Sequence, residues 1–329
     1  MKAFISSIFK FLLFPIAISV TLFFSDRYCG DFSISPKYQT IILGHSHPEC
    51  AYNDNILTAT KNLAESGESY FYTYIKAKQV IEQNTHLKSV LIEFSNNQIT
   101  QRMDEWIWAD NYLQHKLPIL AAHLDLNSML FLLNKNTVGF INATPNILKR
   151  RLKMAITKYD YSKMLGGYLH LERDFKNIEE KKHLETTLTI KADSSNISFA
   201  NITYLRKLVD YAKENQLKVY LIRSPLHENF DGRANEIIFQ EIRKANFSDV
   251  EFLDFSNFPL SNSEFGDHQH LNYKGAKTFS SWFQTLTEMG LFSESNKQEF
   301  IDSEIDKYKV LLSHTQEEQS QPSNHLKIN

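Results

Sequence analysis

The chain has 329 residues, 42% hydrophobic and 22% charged, enough to bury a large core and enough to exclude a disordered or fibrous protein. Lys and Arg number 36 against 38 Asp and Glu, a net charge of −2, so no global basic field marks nucleic acid as a partner. Two cysteines, Cys29 and Cys50, exclude a four-thiolate zinc site and a disulfide framework; one bridge between them remains open.

The first informative segment is the N-terminus. Apart from Lys10, residues 3–24 are uncharged, and Phe11 to Phe24 reads FLLFPIAISVTLFF. As a helix this run spans about 21 Å, short of a hydrocarbon core of about 30 Å. With Lys10 reaching back to the headgroups, residues 3–24 span about 33 Å, which suffices. No small-x-small cleavage site follows Phe24. Residues 1–27 are therefore expected to be a membrane anchor or signal segment, most simply an uncleaved N-terminal transmembrane helix. Lys2 and Lys10 would lie on the cytoplasmic side, and the main domain would be extracytoplasmic, in the periplasm or at the cell exterior.

Beyond a short linker, Gln39 to Leu43 reads as a buried strand that ends in Gly44-His45-Ser46-His47-Pro48-Glu49. Gly67 lies in a turn before Tyr70 to Gln83, which has helical spacing of apolar residues, and Ser89 to Phe94 is a second strong strand followed by Ser95-Asn96-Asn97. Residues 100–201 break the alternation. Trp106, Trp108, an apolar helical stretch from Leu117 to Leu133 and the basic run Lys149 to Lys153 point to a helical insertion over one end of the sheet. The basic run suits either a solvated helix face or a site for an anionic polymer or membrane surface.

The alternation resumes with helices over Leu205 to Gln216 and Ala234 to Ala245, each leading into a strand, Lys218 to Ile222 and Val250 to Phe255. After Asp267-His268-Gln269-His270 a helix from Tyr273 to Met289 closes the unit, and from Gln316 the chain is polar and reads as a disordered tail. Continuous apolar strands alternating with helices predict an α/β fold, a three-layer α/β/α arrangement on a mainly parallel sheet. The expected organisation is an α/β domain over residues 37–290 with the insertion at about 100–201, then a C-terminal helix and tail over 291–329.

Ligands of such sheets bind beyond the carboxyl ends of the strands. Three polar clusters stand there: His45-Ser46-His47, Ser95-Asn96-Asn97, and Asp267 to His270. A serine hydroxyl needs a base to take its proton and a carboxylate to fix that base's tautomer, and Asp267 with His270 can supply both. Backbone N–H groups near Ser46 and Gly67 and the amide of Asn96 can face the oxyanion. Ser46 ahead of Pro48 and Glu49 also has the pattern of a helix cap, and Asp267 that of a cap for the last helix.

These blocks resemble the SGNH (GDSL-like) hydrolase superfamily, in particular its membrane-anchored extracytoplasmic members that act on acyl groups of envelope polymers. Gly44-His45-Ser46 stands for Gly-Asp-Ser, Gly67 for the oxyanion glycine, Phe94-Ser95-Asn96-Asn97 for Gly-x-Asn-Asp, and Asp267 to His270 for Asp-x-x-His. The chain departs from the pattern at His45, Phe94 and Asn97. The resemblance implies a flavodoxin-like sheet, catalytic Ser46, Asp267 and His270, an oxyanion hole of Ser46, Gly67 and Asn96 (or Asn97 in its place), and no cofactor or metal. It also implies an acylated or acyl-accepting envelope carbohydrate as substrate and a membrane-embedded acyl donor protein as a partner. Two other readings stay open: a metal-dependent hydrolase using His45, His47, His268 and His270, and a silent binding or scaffold module of the same fold.

Overall fold

The computed structural model describes residues 30–157, 159–175 and 196–320, with isolated positions before residue 30. Five strands, β1 (Thr40–Leu43), β2 (Thr60–Asn62), β3 (Ser89–Glu93), β4 (Lys218–Arg223) and β5 (Glu251–Asp254), form one sheet in the order β2-β1-β3-β4-β5. Every pairing between them is parallel. This is a doubly wound order whose direction reverses between β1 and β3, and the loops leaving those two strands flank the switch point where such sheets hold ligands.

Side chains alternate across the sheet with a period of two. Ile41, Leu43, Val90, Ile92, Val219 and Leu221 enter one core with helices α2 (Tyr70–Gln83), α7 (Phe199–Glu214) and α8 (Glu236–Phe247). Ile42, Leu91, Tyr220, Ile222 and Leu253 enter the other with α9 (Tyr273–Glu288) and α10 (Lys297–Ser320). Strands covered on both faces read as apolar runs, which is why β1, β3 and β4 are legible in the sequence.

After β3, residues 102–156 are largely helical, with α3 (Arg102–Trp108), α4 (Asp110–Leu120), α5 (Leu126–Lys135) and α6 (Thr137–Ile156). The expected stretch Leu117 to Leu133 is two helices rather than one. A 3₁₀ turn at Ala121–His123 interrupts it, and Asp125 caps α5 by accepting from Ser128 N at 2.7 Å. The polar tail expected from Gln316 begins as helix, because α10 runs to Ser320.

The proposed anchor lies mostly outside the described residues; among those described, no helix is long and apolar enough to cross a membrane. Cys29 also lies outside them. Cys50 is a free, buried thiol, and burial pushes it up to about 12.

Candidate active site

The site is built at the turn after β1. Gly44 takes φ +146°, and a Cβ there would lie 2.6 Å from Glu93 Cβ, so only glycine lets the chain pass β3. The helix α1 (Ser46–Ala51) starts immediately after, with Ser46 as its first residue. Its cap is His45, whose ring accepts from His47 N at 3.4 Å, so the capping role that the sequence pattern allows Ser46 belongs to its neighbour. The Ser46 hydroxyl is thereby left half-buried and available.

Phe265 and Leu271 pair as an antiparallel bridge and carry Asp267 to His270 at the tip between them. His270 Nε2 lies 2.7 Å from Ser46 Oγ. His270 Nδ1 lies 2.8 and 2.9 Å from the two Asp267 oxygens. Asp267 also accepts from Gln269 N (2.7 Å) and His270 N (2.9 Å). It does not cap α9: that role falls to Asn272, which accepts from Lys274 N and Gly275 N. Burial pushes the Asp267 carboxyl up, but the hydrogen bond and charge of His270, the Gln269 N–H and the Arg173 guanidinium outweigh it and hold it at about 2. The carboxylate is therefore ionised across the working pH range and fixes a proton on Nδ1, leaving Nε2 to accept from Ser46.

Arg173, which no sequence motif marks, comes from a strap over the strand ends. Gly167 N donates to Ala64 O (3.0 Å), Leu169 N to Glu49 O in α1 (2.9 Å), and Tyr273 N to Leu171 O (2.9 Å), so residues 167–173 tie the nucleophile helix to the helix after His270. The strap ends with the Arg173–Asp267 ion pair and with Phe175 stacked on His227, ring centroids 4.7 Å apart.

Gly67 stands in the left-handed region, φ +69°, at the turn after β2. That turn is pinned to the site by Glu65 N on Gly44 O (3.0 Å) and by the Ser66 hydroxyl on Glu49 of α1. Lys116 holds Glu65 at 2.7 Å and buried Lys76 holds Glu68 at 2.8 Å, fixing the turn from both sides. Asn62 donates to Pro48 O and Tyr52 O, both 2.8 Å, and so fastens β2 to α1.

Asn96 is placed differently from the expectation of an oxyanion donor. Its amide donates to Glu236 Oε2 at 2.7 Å, and its carbonyl accepts from Arg223 Nη1 at 3.0 Å. Arg223 is itself buried between Glu236 and Asp254. Asn97 is linked to the nucleophile turn through Ser95: its carbonyl accepts from Ser95 Oγ (3.0 Å), and Ser95 Oγ is 3.4 Å from His45 Nε2.

The four imidazoles of the metal reading do not form one set. His268 packs against Phe175 and His227, with centroids 5.1 Å from each, while His270 is engaged by Asp267 and Ser46. Among the described residues, the donors that do converge are His45, His47 and Glu93, all buried, with ligand atoms within 4.8 Å of one another. Burial keeps both imidazoles neutral by lowering their pKa values, the form a metal needs. Against a cation, Glu93 already accepts from Ser224 N (3.1 and 3.2 Å) and Ser224 Oγ (2.6 Å). The His47 ring lies against that of His270, centroids 5.6 Å apart, so the pair backs the base. Prolonged treatment with a chelator is accordingly expected to leave ester cleavage unchanged, with less than one equivalent of metal per chain by elemental analysis; loss of activity restored by zinc would make this cluster catalytic.

A cleft of about 310 Å³ opens beside the strap, walled by Leu226, His227, Arg233, Phe258, Asn262 and Phe265. Ser46, Asp267 and His270 are not among its walls.

A family model matches residues 156–291, a span that holds Asp267 and His270 but not Ser46. No curated protein matches the chain. Among solved structures, the chain is similar to a GDSL-like lipase from Bacteroides thetaiotaomicron at 8% identity and TM-score 0.37, over 80% of this chain and 95% of that one. A provisionally assigned platelet activating factor from Streptococcus pneumonia is 9% identical with TM-score 0.38, over 86% and 98%. A provisionally assigned acylhydrolase from Bacteroides fragilis is 11% identical with TM-score 0.34, over 76% and 86%. Likenesses this remote carry no argument about the site, which is read from its own geometry.

Proposed function

We propose that the protein is a membrane-anchored, extracytoplasmic serine O-acyl esterase or acyltransferase of SGNH type, acting on acyl groups, acetyl first, of a carbohydrate-containing envelope polymer. The observation that carries the chemistry is the hydrogen-bonded chain Asp267–His270–Ser46 at the carboxyl edge of a parallel sheet. The substrate class and a membrane-embedded acyl donor come from the motif resemblance.

In this reading His270 Nε2 takes the Ser46 proton as Oγ attacks the acyl carbonyl, and Asp267 stabilises the imidazolium that forms. The oxyanion is met by the backbone N–H groups of Ser46 and Gly67, and the third donor is the amide of Asn97. As the tetrahedral adduct collapses, His270 returns the proton to the departing alcohol and an acyl-Ser46 remains. Water or a sugar hydroxyl then gives its proton to His270 as it attacks the acyl carbon, and His270 returns that proton to Ser46 Oγ as the acyl–Oγ bond breaks; which of them attacks separates esterase from transferase.

The choice of Asn97 over Asn96 is checkable. Asn97→Ala is expected to lower kcat by about 10²-fold with little change in Tm, the usual cost of one oxyanion donor. Asn96→Ala is expected to act mainly on stability by leaving buried Arg223 and Glu236 short of a partner. The reverse pattern in kinetics and thermal melts would return the role to Asn96. For the function itself, the full chain in lipid nanodiscs is expected to release acetate from an O-acetylated polysaccharide, or to pass the acyl group to a sugar acceptor, in a Ser46-dependent way. No Ser46-dependent loss or transfer of acyl groups from any oxygen ester would contradict the proposal.

A further inference from the structure

Helices α5 and α6, consecutive in the chain, each turn an apolar row outward that no described residue covers. On α6, Val138, Ile141, Leu148, Leu152 and Ile156 recur at helical spacing on one side of the helix and are 67, 60, 46, 51 and 76% exposed. Ala143 and Met154, on the opposite side, are buried in the core. On α5, Leu126 and Leu130, one turn apart, are 69 and 45% exposed. A face of this extent on a stable domain calls for an occupant.

Charge identifies the occupant. Residues 126–159 contain six Lys and Arg, at 135, 149, 150, 151, 153 and 158, and no Asp or Glu, in a chain whose net charge is −2. Lys149 and Lys153 are exposed on α6 beside the apolar row. An apolar stripe bordered by lysines, on a helix without acids, is the pattern of a helix lying in an anionic bilayer interface.

Chain connectivity gives an independent reason. Arg27, three residues past the apolar run, donates to Ala122 O (3.4 Å) and Leu124 O (3.2 Å), the carbonyls just ahead of α5. The membrane-directed segment thus joins the domain at the start of α5.

We infer that the exposed face of α5 and α6 lies on the anionic surface of the same bilayer that holds the N-terminal segment, fixing the domain's orientation on the membrane. The inference rests on the membrane reading of residues 11–24 for where the chain enters, and is independent of the chemistry at Ser46.

The test uses the full chain with Cys29→Ser, reconstituted into vesicles of three parts phosphatidylcholine to one of phosphatidylglycerol. A fluorescent label is placed at Ile141→Cys, at Leu152→Cys, or at Glu288→Cys, an exposed position on α9. Brominated lipid is expected to quench the labels at 141 and 152 several-fold more than the label at 288, and Lys149→Glu with Lys153→Glu is expected to weaken that quenching. Equal, weak quenching at all three positions would overturn the inference. So would protection of 141 and 152 that persists in detergent with the chain running as a dimer, which would assign the face to a second copy. Resistance to an alkaline carbonate wash reports on the N-terminal anchor separately: quenching at 141 and 152 in protein that washes off upholds the docked face and removes the anchor.

Discussion

Replacing Ser46 by alanine is expected to lower kcat on an oxygen ester by about 10⁶-fold, the scale reached when the nucleophile of a hydrogen-bonded triad is removed. The hydroxyl makes one side-chain contact, the 2.7 Å bond to His270 Nε2. Because His45 rather than Ser46 caps α1, the substitution costs the fold no more than about 1 kcal/mol. Kinetics and thermal unfolding should therefore separate, with activity gone and Tm shifted by a few degrees at most. Retention of wild-type turnover would exclude Ser46 as nucleophile.

Replacing Asp267 by asparagine is expected to have the next largest effect, up to about 10⁴-fold in kcat, because an amide at this position stabilises the wrong imidazole tautomer. Here stability moves with it. Asp267 is held at about 2 against an ordinary value of 3.8. A depressed carboxyl contributes stability that is present above the unfolded value and lost as pH falls through the folded one, worth about 2 kcal/mol at pH 7 for a shift of this size. Wild type and Asp267→Asn should thus differ in denaturant midpoint at pH 7 and converge as pH falls from about 4 to about 2. A gap that stayed constant across that window would mean that Asp267 is not the charge that His270 and Arg173 hold.

The parts of this molecule that sequence made legible are those that repeat a pattern. β1, β3 and β4 are apolar runs buried on two faces, and the helix Tyr70–Gln83 follows its periodicity to the residue. β2 escaped notice because it is three residues, Thr-Lys-Asn, at the sheet edge, and its key side chain is polar: buried Asn62 works through hydrogen bonds to α1. The same holds for Lys76, a charge inside an apolar helix pattern that is buried because it reaches Leu63 O and Glu68.

Ser46, Asp267 and His270 were legible as strand-end groups whose chemistry needs one another. Arg173 was not, since a strap of irregular backbone carries no period and no motif. Nor could spacing decide between Asn96 and Asn97, because the choice depends on which amide Arg223 and Glu236 capture. Four histidines close to two turns suggested a metal set. Packing instead divides them: His268 stacks into the strap beside Phe175, and His45 and His47 lie under the nucleophile turn with Glu93.

The central claim, that His270 and Asp267 activate Ser46, is tested most directly by a fluorophosphonate probe, which reacts with serines whose proton a base removes. The full chain in nanodiscs should take up one equivalent, and peptide mapping should place it on Ser46. Asp267→Asn and His270→Ala should label far more slowly. Labelling at another serine, or none in protein that cleaves esters, would contradict the account.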